Sequence, residues 1–417
     1  MAGKNLEKIF RENITSRAPE AWTALERLVA CNSLTGNASG VDRCGGLVRE
    51  MFRDLGFHER IIRSKDHDRG SHVILTHPGQ GSHEIVLVSH LDTVYSSEEE
   101  EANEFRWREE AGRIYGPGVI DIKGGIVMIH LVLRVLAESA PRLFEAVGWR
   151  VLLNAAEETG SEDFPALARE QVGPHTLACL VFEHGHPRGD RASSITVSRR
   201  GCGRFRIEAQ GRQAHSGSGH HRGASAISEI ARLITLIENS TDPAKGLTFN
   251  VGVVRGGSVI NSVPDQAIAL VDMRADDPDV FAQAVRKIQG LAGEGSVRSR
   301  SDGFPCQVKV TTLPAYPPWP GNPGSKQLAE VYQSAAESLG SSITAEHRLG
   351  ASDGCHLWDL APTLDGLGPL GENIHCAKHD PPSGKYQESL IAASLEERAM
   401  LNLLALAALI EGSRGSS

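Results

Sequence analysis

The chain has 417 residues, more than the roughly 250 to 300 at which a single hydrophobic core stops growing, so two domains are expected. At 40% hydrophobic and 23% charged residues it has the apolar material for packed cores, which excludes a disordered chain. Lys and Arg number 43 against 52 Asp and Glu, and this net charge of −9 has the wrong sign for a protein that binds by neutralising phosphates, so nucleic acid is not an expected partner.

The N-terminal MAGKNLEKIFRENITSR alternates charges and lacks the apolar centre of a secretory signal. No run approaches the ~20 apolar residues of a membrane span. The 7 cysteines are scattered without CxxC spacing and read as reduced thiols, so a cytoplasmic location is expected.

Between about residues 85 and 183, short apolar runs alternate with helical patterns. The runs are Ile85 to Ser89, Val151 to Ala155 and Leu177 to Phe182, each apolar throughout, as in strands covered on both faces. With Gly124 to Ala137 as a buried crossover helix, this predicts an α/β fold with a doubly wound, mostly parallel sheet.

From about Ile195 to Val310 the pattern changes to alternating strands such as Arg204 to Ala209 and Ile268 to Arg274. Helical stretches at Ala224 to Ile237 and Val280 to Leu291 complete what reads as an inserted α+β domain. The proline-rich Leu313 to Gly324 reads as re-entry into the first domain, and Glu397 to Glu411 as a packing helix. The expected division is residues 1–197 and 312–417 as two parts of one domain, with 198–311 inserted.

Ligands of open α/β sheets bind beyond the carboxyl ends of the strands. The first run ends in SHLDTV, with His90 and Asp92 two apart and pointing the same way, so Asp92 can accept the second imidazole N–H. The second ends in NAAEETGS, with Glu157 and Glu158, and the third in VFEHG, with Glu183. Asp121 lies in the glycine-rich YGPGVIDIKGG that feeds the crossover helix, and His375 in DGLGPLGENIHCAKHD. Taken singly, each has an ordinary explanation as a helix cap, a solvated pair or a hydrogen-bonded histidine. Together they bring acid and imidazole to one sheet edge, where the carboxylates would repel one another and raise their pKa values. A pair of divalent cations would supply the missing positive charge.

In order, SHLDTV, YGPGVIDIKGG, NAAEETGS, VFEHG, the AHSG of Ala214 to Gly217 and GLGPLGENIH resemble the carboxypeptidase G, aminoacylase and succinyl-diaminopimelate desuccinylase family of co-catalytic zinc hydrolases. The resemblance spans roughly Leu25 to Ala407, and the opening TGNASGVDRCGGLVREMFRDLGF is similar to the glutamate carboxypeptidase branch.

The resemblance implies two Zn2+ per chain, one held by His90 and Glu183, the other by Glu158 and His375, with Asp121 bridging; cobalt or manganese would also suit these ligands. It implies Glu157 as general base on a metal-bridging water and Asp92 as orienter of His90. A Glu at position 183 favours C-terminal amino-acid or N-acyl substrates. The inserted domain would be a lid and dimerisation domain joining a homodimer, with His215 reaching the partner's site to stabilise the oxyanion and Asn261 and Arg274 binding the substrate carboxylate.

The expected activity is therefore release of a C-terminal amino acid from a small peptide or N-acyl amino acid. The alternatives are an N-acyl-amino-acid deacylase, a dipeptidase, or a silent metal-binding relative. The chain departs from the family in CAKHD after His375, which adds His379 and Asp380; His375 is preferred as ligand because it directly follows GPLGENI. His184, His186, His220, His221 and His356 read as structural or supporting residues, and most of the 17 histidines have no assigned role.

Overall fold

In the structure, a computed structural model that describes residues 2–189 and 191–414, the apolar runs form the middle of a six-stranded sheet. Its strands are β1 (His58–Arg63), β2 (Ser71–His77), β3 (Glu84–His90), β4 (Gly148–Asn154) and β5 (Thr176–Val181), plus the short Thr363–Leu364. Their order is β1-β2-β4-β3-β5, then Thr363–Leu364. β3 is parallel to β4 and β5, and Thr363–Leu364 is parallel to β5. The mostly parallel α/β sheet is thus as expected. Its antiparallel margin, β2 against β4 and β1, was not legible: β1 is exposed along nearly its whole length and carries no apolar run.

Strand residues alternate between two cores. Val73, Leu75, Ile85, Leu87, Val151 and Leu153 face one, while Ile74, Val86, Val88, Leu152, Cys179 and Val181 face the other with Phe164 and Ala168. The first core also takes the helix Ala2–Val29, absent from the sequence expectations. Its buried residues Phe10, Ile14, Ala18, Ala21, Leu25 and Leu28 recur at helical spacing, but alanines and flanking charges make the stripe faint. The crossover helix Gly124–Ser139 runs close to the end of β5, and a Cβ on Gly125 would meet the carbonyl oxygen of Phe182 at 2.1 Å. Among the described residues no helix is long and apolar enough to cross a membrane.

This sheet belongs to a unit formed by residues up to 197, 321–347 and from 352 onward; residues 198–320 and 348–351 form a second unit. The second holds a five-stranded antiparallel sheet of β6 (Gly201–Gln210), β7 (Thr248–Gly256), β8 (Gln266–Ala275), β9 (Gly293–Arg298) and β10 (Pro305–Thr312), in the order β7-β8-β6-β10-β9. Phe205, Ile207, Ala269 and Val271 alternate onto one face, where Ile230, Leu233 and Ile237 of helix Ala226–Glu238 and Ile288 of helix Pro278–Gln289 cover it. The proline-rich segment read as re-entry stays with this unit as far as Pro320, because Tyr316 and Trp319, both buried, bridge back to Cys202 and Arg199.

Candidate metal centre

His90 is the last residue of β3, Glu183 lies two residues past β5, and Glu157 and Glu158 follow β4 on one loop. Four successive amides of that loop each donate to a side chain. Ala155 N–H donates to His72 Nδ1 (3.1 Å) and Ala156 N–H to Asn154 Oδ1 (3.0 Å). Glu157 N–H donates to Asp92 Oδ1 (3.0 Å) and Glu158 N–H to Asp92 Oδ2 (3.2 Å). Buried amides need acceptors, and these four fix the backbone on which the adjacent glutamates stand. Thr35 Oγ1 donates to Asp92 as well, at 2.7 Å.

His90 Nδ1 lies 3.0 Å from the main-chain oxygen of Asp92 and 3.3 Å from its Oδ1. With the N–H directed there, Nε2 presents its lone pair to the acidic side chains opposite. Nε2 is 3.2 Å from Asp121 Oδ1 and 3.6 Å from Glu183 Oε1. On the other side His375 Nε2 is 3.3 Å from Asp121 Oδ2 and 3.1 Å from Glu158 Oε2. The side chains therefore form two groups, His90, Asp121 and Glu183, and Asp121, Glu158 and His375. Asp121 gives one oxygen to each.

Two atoms bonded at about 2.1 Å to one tetrahedral ion stand about 3.4 Å apart, the spacing found within both groups. Glu158 Oε1 is buried without a hydrogen-bond partner, a further sign that the donor set suits cations. His90 is 1% exposed and His375 47%, so the centre opens on the His375 side. His375 and Asn373 take left-handed backbone conformations (φ 59° and 62°), sparsely populated by such residues and common at functional sites.

The electrostatics call for positive charge. Burial pushes Glu158 up to about 7, with the charge of Asp121 adding to it. Burial also raises Glu157 well above the usual range, against the opposing pull of His90 and with the charges of Glu183 and Asp353 adding. Asp121 departs from the expected trend: burial opposes its charge, yet His375 and His90 hold it well below the carboxylate range. His375 rises to about 11 through its bonds to Asp121 and Glu158. His90 rises well above its usual value despite burial, through Asp121 and Asp92. Each imidazole lies where a cation is favoured.

The other singled-out residues lie outside the two ligand groups. His184 and His186 pack ring edge to face at 4.9 Å, and His379 sits 6.1 Å from the Tyr386 ring. His356 is buried in the short helix Asp353–His356, and His220 and His221 are exposed in the second unit. His215 lies on the two-residue strand Ala214–His215, paired with Ser262–Val263, and the carbonyl of Asn261 accepts from Ser216 N–H at 3.0 Å. His215 Nδ1 accepts from the amides of Gly217 and Ser218, both at 3.1 Å, so its proton resides on Nε2. Arg274 donates to both oxygens of Asp272 on its own strand, at 2.8 and 3.0 Å.

Several supporting residues were missed. Asn154 and Thr35 open NAAEETGS and TGNASGVDRCGG, but their residue types do not mark them as supports, and His72 lies in no motif. Asp353, which accepts from Asn154 Nδ2 at 3.0 Å, lies in the loop GASDGCH, and Glu388 follows His375 only after an exposed excursion.

Residues 197–299 match the peptidase dimerisation domain of the M20 family. The chain is 26% identical over 374 residues to carboxypeptidase G2 of Pseudomonas sp. (strain RS-16), covering 89% of this chain and 87% of that protein. It is 25% identical over 266 residues to a probable succinyl-diaminopimelate desuccinylase of Staphylococcus aureus (strain MSSA476), covering 56% of this chain and 62% of that protein. A tripeptidase from Staphylococcus aureus subsp. aureus Mu50 shares the fold with a TM-score of 0.71 at 21% identity, over 94% of this chain and 99% of that one. A dinuclear metal binding peptidase of the M20 family from Bacillus subtilis does so with a TM-score of 0.63 at 14% identity, over 95% and 99%. The chain, with the fold and the dimerisation domain of the M20 metallopeptidases, is a homologue of carboxypeptidase G2 and of the succinyl-diaminopimelate desuccinylases.

Proposed function

We propose that the chain is a dinuclear metal-dependent amide hydrolase that releases a C-terminal amino acid from a small peptide or N-acyl amino acid, as a glutamate carboxypeptidase does. The observation that carries this reading is the pair of ligand groups sharing Asp121, with Glu157 next to Glu158 on the clamped loop. Three carboxylates and two imidazoles suit two zinc ions, held by His90, Asp121, Glu183, Glu158 and His375. Such ions, when bound, polarise the scissile carbonyl and ease deprotonation of water.

Glu157 takes the proton from the attacking water and delivers it to the leaving amine nitrogen. Burial, which disfavours its charged form, helps Glu157 keep that proton between the two events. Asp92 holds both His90 and the Glu157 loop in place. His215, with its proton on Nε2, donates to the developing oxyanion. The match to carboxypeptidase G2 over most of both chains supports the C-terminal substrate over the desuccinylase-like alternative, whose match covers less.

The active form is a homodimer joined through the second unit, with His215 of one subunit serving the other's site. The 7 cysteines of each chain, scattered without CxxC spacing, suit the cytoplasm.

The test is to load the protein with zinc and assay peptides ending in glutamate, N-acyl amino acids and dipeptides, alongside Glu157→Ala. Wild type should cleave the first class, and the variant should bind two zinc ions without turnover. Cleavage of N-acyl amino acids alone would reassign the protein as a deacylase. Retained hydrolysis by the purified variant would reject Glu157 as the base.

A further inference from the structure

We infer that Glu388 is a positioning residue of the metal centre, whose buried carboxylate fixes the loop carrying Asp121 and thereby the bridge between the two ligand groups. The inference rests on the metal reading above. Glu388 is fully buried. Its Oε1 accepts from the amides of Ile120 (2.8 Å) and Asp121 (3.1 Å), and its Oε2 from the Tyr95 hydroxyl (2.6 Å). Its own amide donates to the carbonyl of Cys376 at 2.9 Å. One residue thus ties together the segment after β3 that holds Asp92 and Tyr95, the Asp121 loop, and the residue that follows His375.

At Asp121 and Ile122 the backbone leaves helical geometry (φ −119°, ψ 86° and φ −139°, ψ 25°) just before the crossover helix. Amides at such a junction lack intrahelical acceptors. A neighbouring Ser or Asp commonly supplies one. Here the acceptor comes from 267 and 268 residues downstream and is a carboxyl group taken out of water, which is costly unless well bonded. Beyond Asp121 the loop is held by Lys123, whose Nζ donates to the carbonyls of Cys31 (3.0 Å) and Pro117 (3.1 Å). Asp121 therefore sits between two anchors while its oxygens face His90 and His375.

The experiment measures metal uptake by the apoprotein calorimetrically and records the absorption spectrum of the cobalt-loaded form, with thermal melting as a folding control. Glu388→Ala removes all three acceptor contacts; Glu388→Gln keeps the size and one oxygen; Tyr95→Phe removes one donor. Wild type should take up two ions. Glu388→Ala should bind them at least about tenfold more weakly with altered cobalt bands, and Glu388→Gln should fall between the two. If the alanine variant does not fold, the glutamine variant decides. A folded variant that melts lower yet keeps the wild-type isotherm and spectrum would make Glu388 merely structural and overturn the inference alone. Wild-type protein that takes up no metal would overturn the reading of the centre and this inference with it.

Discussion

The carboxylate of Asp92 accepts the amide of Glu157 at 3.0 Å while the main-chain oxygen of the same aspartate faces His90 Nδ1 at 3.0 Å. One residue thereby orients His90, a proposed metal ligand, and the backbone of Glu157, the proposed base, a wider role than holding the imidazole. An asparagine offers one oxygen and an NH2, and the NH2 would confront the amide of Glu157 in place of Oδ1, or the amide of Glu158 and the Thr35 hydroxyl in place of Oδ2. Asp92→Asn should lower kcat/KM by about 10- to 100-fold and weaken metal retention. Wild-type rate together with wild-type zinc content would show that the clamp is dispensable.

His215 makes a different prediction because it belongs to neither ligand group. With Nδ1 committed to two backbone amides, its Nε2–H is preset as a donor. His215→Ala should reduce turnover by roughly 10²-fold or more and leave zinc content unchanged. If the histidine acts across the dimer, mixing Glu157→Ala and His215→Ala subunits should restore activity, because a heterodimer contains one complete site. No recovery after demonstrated subunit exchange would place the donor in its own subunit.

The proposed dimer can be tested at β7. This edge strand exposes Val253 and Val254 (38% and 51%), and the helix over the same sheet exposes Ile227 and Leu236 (43% and 42%). An edge with apolar side chains invites pairing with a second copy, and lysine on an edge strand blocks it. Val254→Lys should sediment as a monomer with its fold intact and lose most of its activity. A variant that still sediments as a dimer would exclude this edge as the joint.

Much of this candidate centre was legible because its proposed ligands are types that carry their chemistry with them and follow strands whose apolar runs stand out. β3, β4 and β5 are buried on both faces, so their sequences are unbroken and their ends easy to place. The supporting bonds were hidden for the opposite reason. That Asp92 caps two amides of another loop, or that Glu388 reaches Asp121, depends on which way a backbone N–H points, which no spacing in the chain encodes. The proline-rich segment reads as a connector by composition, yet two buried aromatics, Tyr316 and Trp319, decide that it packs with the second unit.

Acid should destabilise the fold through two histidines outside the ligand groups, half-buried His130 and buried His356. Burial lowers His130 from the usual 6.5 to about 4, with Arg134 adding to the effect, and burial likewise lowers His356 to about 4. Above pH 6.5 each is neutral in both folded and unfolded chains, and the stability this permits is fully present. As pH falls from 6.5 toward 4 the unfolded chain binds a proton that the folded one refuses, so stability is lost at a cost of roughly 3 kcal/mol per histidine by pH 4. His130 packs its ring against Phe52 at 5.2 Å in an apolar core that leucine can fill. Urea midpoints of wild type and His130→Leu between pH 4 and 7 isolate this group, because carboxylate contributions common to both cancel. The variant should lose less stability than wild type on acidification, and parallel curves would show that His130 titrates alike in the folded and unfolded chains.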